Sequence, residues 1–176
     1  MVNGKVFETN VLSQEIKANP LPTVKPTTAA QPKTEAKTQP KTEAPKPKII
    51  FDPSSGKARS TMKPDTPIEL DANGNPVHYK QLITGKASAY SYDDAKATST
   101  GMKPGVGVVA VNPEQIPYYS KLYIKTPNGS YIYGYGIAGN TGGFAKNGRI
   151  TVDIFLDSKE ECYRFGVRDV EIYVLY

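Results

Sequence analysis

Between His78 and Tyr176 the chain breaks into six short runs rich in Val, Ile, Tyr and Thr: "HYKQLITGKASAYS", "VGVVAV", "KLYIKT", "SYIYGYGIAG", "ITVDIFL" and "VEIYVLY". β-branched and aromatic residues in runs this short favour strands. Gly, Pro and Asn separate the runs, and Pro127-Asn128-Gly129 between the third and fourth is a hairpin signal, because Asn and Gly accept the backbone angles of a tight turn. One helix interrupts the series: Ser158 with Glu161 three residues on forms a capping box, and Gly166 is placed to stop it. Six strands and one short helix within about 100 residues predict a mainly β fold, a small closed barrel rather than a doubly wound sheet.

A chain of 176 residues that is 38% hydrophobic can bury one core of ordinary size but not two large ones, so the remainder is expected to be tail. The tight turn "DANGNP" (71–76) places the start of the compact domain near Ile68, giving a barrel domain over 67–176. Upstream, "QPKTEAKTQPKTEAPKPK" is an eight-residue near-repeat beginning at Gln31 and again at Gln39. It offers nothing to bury, and residues 25–66 are expected to form a disordered Pro/Lys/Thr-rich linker. Residues 1–24 alternate apolar and polar positions after an Asn-Gly turn, like the last strands of a small β module, yet are too short to fold alone.

Several function classes are excluded at this level. No stretch approaches the roughly 20 apolar residues of a membrane span, and "MVNGKVFETN" lacks the regions of a signal peptide. The net charge of +5 sits mostly between Lys25 and Lys48, which hold six lysines and two glutamates, so the folded part is nearly neutral and a nucleic-acid face is not expected. That linker charge is either simply solvated or loosely attracted to a polyanionic surface. With one cysteine, Cys162, and one histidine, His78, no metal site, cofactor or Cys/His nucleophile pair is expected; His78 in "NPVHYK" reads as a half-exposed strand residue.

In the run Ile150 to Leu156, Ile150, Val152, Ile154 and Leu156 share one face by the two-residue period, and Thr151, Asp153 and Phe155 the other. The glycine-dense "AGNTGGFAKNG" just ahead of it is either a plain turn beside an exposed Asp153 or a loop whose amides line a cleft with Asp153 on its floor.

"SAYSYDDAKATSTGMKPGVGVVAVNPEQIPYYSKLYI", "YGYGIAGNTGGFAKNGRITVDIF" and "SKEECYRFG" resemble, in this order, the three-aspartate (3D) domain of bacterial cell-wall enzymes, also the core of membrane-bound lytic transglycosylase A. The resemblance runs from about Ile83 to Tyr176, and residues 1–24 resemble the end of a G-five cell-surface module. It implies a double-psi β-barrel with a sugar-binding groove. It also implies cleavage of the bond between N-acetylmuramic acid and N-acetylglucosamine in peptidoglycan, with one aspartate donating a proton to the glycosidic oxygen. The same carboxylate then takes a proton from the sugar's own primary hydroxyl, leaving an anhydro-muramoyl end, unlike the two-carboxylate scheme of most glycosidases.

Carried over residue by residue, the family's last aspartate falls on Asp153, the expected acid/base, whereas the first falls on Asn112 and the second on Asn140. Neighbouring carboxylates raise one another's pKa, so with two amides Asp153 is expected to hold its proton less well unless burial alone raises its pKa. The same resemblance places Thr100, Gly101, Lys121, Thr141 and Gly142 along the groove as substrate-binding candidates, Lys121 either stabilising the leaving oxygen or standing as a solvated strand lysine. Asp93 and Asp94 are adjacent and should point apart into solvent. Tyr131, Tyr133 and Tyr135 form one aromatic row, for barrel packing or for sugar stacking. Three readings follow for a chain whose expected partner is peptidoglycan and whose expected place is extracellular or in the cell wall: a lytic transglycosylase, a binding module without catalysis, and, last, a hydrolase that would need a second carboxylate.

Overall fold

The computed structural model describes residues 48–94 and 96–176; the expected G-five-like ribbon and most of the expected linker lie outside them. Six strands close into a barrel: β3 (Gln81–Tyr90), β4 (Val108–Val111), β5 (Lys121–Lys125), β6 (Ile132–Asn140), β7 (Val152–Phe155) and β8 (Arg168–Val174). A two-stranded ribbon, β1 (Ile49–Ile50) with β2 (Glu69–Leu70), precedes them, and α1 (Lys159–Phe165) links β7 to β8. The order around the barrel is β3-β7-β4-β6-β5-β8, with β3–β7 and β4–β6 parallel and the other pairs antiparallel. β7 thus inserts between β3 and β4, and β6 between β4 and β5, although each comes later in the chain; these paired insertions give the double-psi weave.

All six expected runs became strands. The hairpin forms where Asn128-Gly129 predicted it, with Thr126 and Tyr131 bonded across the turn and Gly129 at φ +69°. Ser158 caps α1 by accepting from the Glu161 N–H at 3.2 Å, and Gly166 ends it at φ +63°. Glu161 closes the box one residue early, accepting from the Asp157 N–H rather than from Ser158. Alternation sorts the strands: Val109, Leu122, Ile124, Val152, Ile154 and Ile172 are sealed inside, each contributing about 1.5–3 kcal/mol by leaving water.

The tyrosine row does not survive folding. Gly134 at φ +87° and a register shift opposite Ile124 and Lys125 put a bulge at Tyr133. Tyr133 therefore turns into the barrel, where its hydroxyl accepts from the Gly107 N–H at 2.7 Å and donates to the Phe155 carbonyl at 3.2 Å. Tyr135 stays on the outer face with Tyr123 and Tyr173, and Tyr131 packs edge-on against Phe165.

Those outer tyrosines are covered by a strap that runs from residue 49 onward, within the stretch expected to be linker. Phe51 meets the Tyr123 ring edge-on at 5.2 Å, and the strap bonds to β6 through Arg59 N–H to the Ile132 carbonyl and Ser60 N–H to that of Tyr133. His78 is also misplaced by sequence reading: it lies in a bend ahead of β3, exposed, 3.4 Å from Glu69.

Candidate functional site

Asp153 on β7 stands opposite Ser88 of β3 on one side and Ala110 of β4 on the other, and Ala110 in turn stands opposite Asn140 at the end of β6. Strands that are far apart in sequence thus set Ser88, Asp153, Ala110 and Asn140 in one row across the outer face. Adjacent strands lie about 4.8 Å apart, so the backbones at Asp153 and Asn140 are roughly 10 Å from each other, with Ala110 between them in the row. Tyr90, Ala110 and Phe155 form a small apolar cluster on this face, against which Phe144 from the loop after β6 packs.

The Asp153 carboxyl is half-buried and accepts from the Ser88 hydroxyl at 2.8 Å. Among the described residues it enters no ion pair. Loss of solvation pushes its pKa up from 3.8 to about 6; the Ser88 hydrogen bond pulls the other way, and the negative charge of Asp94 adds to the rise. A carboxyl with this value is about one-tenth protonated at pH 7 and mostly protonated at pH 5. Burial thus supplies what the amides at 112 and 140 do not. Among the described residues no three His, Cys, Asp or Glu side chains converge where a metal ion could be held.

Asn140 is buried, and its amide is committed to the fold. Its Oδ1 accepts from the Ser99 N–H at 3.0 Å and the Ser99 hydroxyl at 3.1 Å, and its Nδ2 donates to the Tyr90 hydroxyl at 3.4 Å. Thr100 locks the same turn to β6 by donating to the Gly139 carbonyl at 2.6 Å, and Gly101 closes that turn at φ +79°. Gly139 has to be glycine for this approach, since a Cβ there would sit 2.8 Å from the Met102 sulfur and 2.9 Å from Val108 Cγ1. Asn112, two residues beyond Ala110, caps its own turn through the Glu114 N–H at 3.1 Å and donates to the Ala145 carbonyl at 3.4 Å. Thr141 donates to the Val111 carbonyl at 2.8 Å, and Gly142 opens the turn that carries Phe144.

Not every sequence candidate joins this group. Lys121 lies on β5, beyond β6, and pairs with Asp65 of the strap at 2.9 Å. The glycine-dense loop after β6 uses its Ala145, Asn147, Arg149 and Thr151 amides for its own turns and for β3, so these four do not line a cleft. Sequence reasoning passed over Ser88, Tyr90 and Ser99, and read Asp94 as a solvated loop carboxylate. Asp94 closes the turn after β3, its carboxylate accepting from the Ser91 N–H at 3.1 Å and the Ser91 hydroxyl at 3.2 Å. The parity of "SAY" could have placed Ser88 and Tyr90 on one face; the reach of the Asp94 charge to Asp153 has no local signature.

Tyr119, just ahead of β5, also escaped notice. It is the one non-glycine residue among those described with positive φ, at +66°, a conformation that costs an L-residue about 1–2 kcal/mol. Its side chain is 63% exposed, and its hydroxyl reaches the Thr100 carbonyl at 3.4 Å.

Three proteins of Bacillus subtilis (strain 168) are similar to this chain. The cell wall-binding protein YocH is 33% identical over 113 residues, covering 60% of this chain and 37% of that protein. YabE, named for cell wall shaping, is 34% identical over 92 residues, covering 52% of this chain and 21% of its own length. The SPbeta prophage-derived protein YorM is 37% identical over 89 residues, covering 51% of this chain and 34% of its own length. The chain therefore spans less than two-fifths of each of these three relatives. Residues 107–176, from the turn before β4 to the last residue, match the family of 3D domains.

Proposed function

We propose that this protein acts on bacterial cell-wall peptidoglycan as a lytic transglycosylase, with Asp153 as its acid/base. The carrying observation is a half-buried carboxyl with no cationic partner among the described residues, held by Ser88, its pKa raised by burial to about 6. In the proposed reaction the Asp153 O–H protonates the glycosidic oxygen as the bond from that oxygen to the anomeric carbon breaks. The resulting carboxylate takes the proton of the muramoyl primary hydroxyl, whose oxygen bonds to the same carbon, closing the anhydro ring and restoring the acid. No water enters, so one carboxyl serves both steps. Asn112, Asn140, Thr141, Gly142, Thr100 and Gly101 border the face that would take the glycan; Lys121, tied to Asp65 beyond β6, is left out. An extracellular or cell-wall location follows from the substrate, with the segment ahead of the strap as a spacer.

A second reading, a peptidoglycan-binding module without catalysis, is favoured by the amides at 112 and 140 and by the name of YocH as a cell wall-binding protein. Incubation with purified peptidoglycan from about pH 4.5 to 7.5, with products read by mass, separates the two. Anhydro-ended muropeptides that rise toward acid pH and vanish in Asp153→Asn support the transglycosylase. Co-sedimentation without products supports the binder, and reducing ends would mean hydrolysis by water.

A further inference from the structure

We propose that Tyr119 is a stacking platform for a sugar ring of the glycan strand, at a subsite removed from the cleaved bond. This deepens the peptidoglycan reading and rests on it.

The other exposed aromatic side chains have structural explanations that Tyr119 lacks. Tyr79 packs edge-on against Tyr173 at 5.1 Å, Tyr92 against Phe155 at 4.8 Å, and Tyr176 lies under the Lys80 ammonium at 5.7 Å. Tyr163 projects from α1 with ordinary helical backbone. Tyr119 has neither an aromatic nor a cationic partner among the described residues, and it occupies a backbone conformation that glycine adopts freely. A bulky residue kept at strained backbone, with its side chain in solvent, contributes little to the fold it strains. Its contribution is then sought outside the fold.

Its position connects it to the acid. The Tyr119 N–H donates to the Ala138 carbonyl at 2.8 Å, and the Ala138 N–H to that of Ser120 at 2.9 Å, fixing the Tyr119 backbone against β6 two residues from Asn140. The ring is held at its far end by the hydroxyl's bond to the Thr100 carbonyl. Thr100 is bonded to Gly139, Ser99 to Asn140, and Asn140 to Tyr90, while Asn140 and Asp153 flank Ala110. A hydrogen-bonded ledge therefore runs from the exposed ring to Asn140 and Tyr90, and Ala110 separates Asn140 from the carboxyl. The Asn140 backbone already lies roughly 10 Å from that of Asp153, so the ring beyond it would meet a sugar further along the strand. Along the ledge the side chains of Ser99, Thr100, Asn140 and Thr141 are neutral and polar. A pyranose fits both features: its C–H face stacks on an aromatic ring, and its hydroxyls bond to neutral polar groups.

The test uses the full chain with purified peptidoglycan, measuring sedimentation binding curves and thermal midpoints for Tyr119→Gly and Tyr119→Phe. Tyr119→Gly should bind about 5- to 10-fold more weakly, the loss of one stacking contact, while melting at or above the unaltered protein because the backbone strain is relieved. Tyr119→Phe should bind within about twofold of the unaltered protein, since the ring carries the contact. Equal binding by Tyr119→Gly overturns the platform while leaving peptidoglycan recognition intact. A binding loss accompanied by a lower melting point in both variants overturns it in favour of a structural role. Absence of binding by the unaltered chain overturns the platform and the reading beneath it together.

Discussion

Asp153→Asn tests the central electrostatic claim without any substrate. In the unfolded chain Asp153 titrates near its ordinary 3.8, and in the folded protein near 6. Between these values the native state holds a proton that the unfolded state has released, so the unaltered protein is most stable below the lower value and loses stability as pH rises to the upper one. That rise is worth about 3 kcal/mol at most, the cost of ionising a half-buried carboxyl. Asn has no such cost, and its side-chain oxygen can still accept from Ser88.

Urea unfolding of both proteins at steps from about pH 4 to 7.5 reads the difference directly, because every other titrating group is shared and cancels to first order. The variant should gain on the unaltered protein by about 2.5 kcal/mol across this range, most of it between about pH 4 and 6, and the gap should then stay flat. By heat the same gain is roughly 10 °C at neutral pH for a domain of this size. A gap that does not change with pH would show an ordinary solvated carboxylate, and one that favours the unaltered protein as pH rises a carboxylate stabilised by the fold; either removes the basis for Asp153 as an acid near neutrality.

Three further outcomes follow. Asp94→Asn should lower the Asp153 pKa, since it removes a negative charge that raises it, and should move any pH–activity profile toward acid; carboxyl chemical shifts followed through a titration check this. Asn140→Asp should raise the Asp153 pKa, yet cost about 1–3 kcal/mol at neutral pH, because a buried carboxylate replaces the amide that donates to Tyr90; unfolding and titration on one sample give both numbers. Phe51→Ala should cost about 1.5–3 kcal/mol by uncovering Tyr123, and a loss under about 0.5 kcal/mol would mean the strap does not stabilise the barrel.

What the sequence revealed was governed by local rules. Strand identity was legible because alternating Val, Ile and Tyr between Gly and Pro turns leaves few other options, and Ile150 to Phe155 showed even which face Asp153 would take. The bulge at Tyr133 was not legible, since it depends on a glycine at positive φ paired with a register shift in a neighbouring strand. The strap was hidden for a similar reason: a single Phe51 in turn-rich chain carries no periodicity, and its partner Tyr123 lies far along the sequence. The Ser88–Asp153–Ala110–Asn140 row needs the register of four strands, none adjacent in the chain to its barrel neighbour within the row.

The same distinction governs the chemistry. Counting carboxylates along the sequence made Asp153 a weakened acid, because the charges that would raise its pKa are amides at 112 and 140. Charge is one of several levers on a carboxyl; desolvation is another, and here it is the larger. Asn140, meanwhile, spends its amide on Ser99 and Tyr90, bracing the turn that carries Thr100 and, through it, the Tyr119 hydroxyl. A carboxylate at 140 could accept from Ser99 but could not donate to Tyr90. The amide thus exchanges a distant electrostatic effect for a direct mechanical one, which under the binding reading proposed above would serve a glycan without any cut by Asp153.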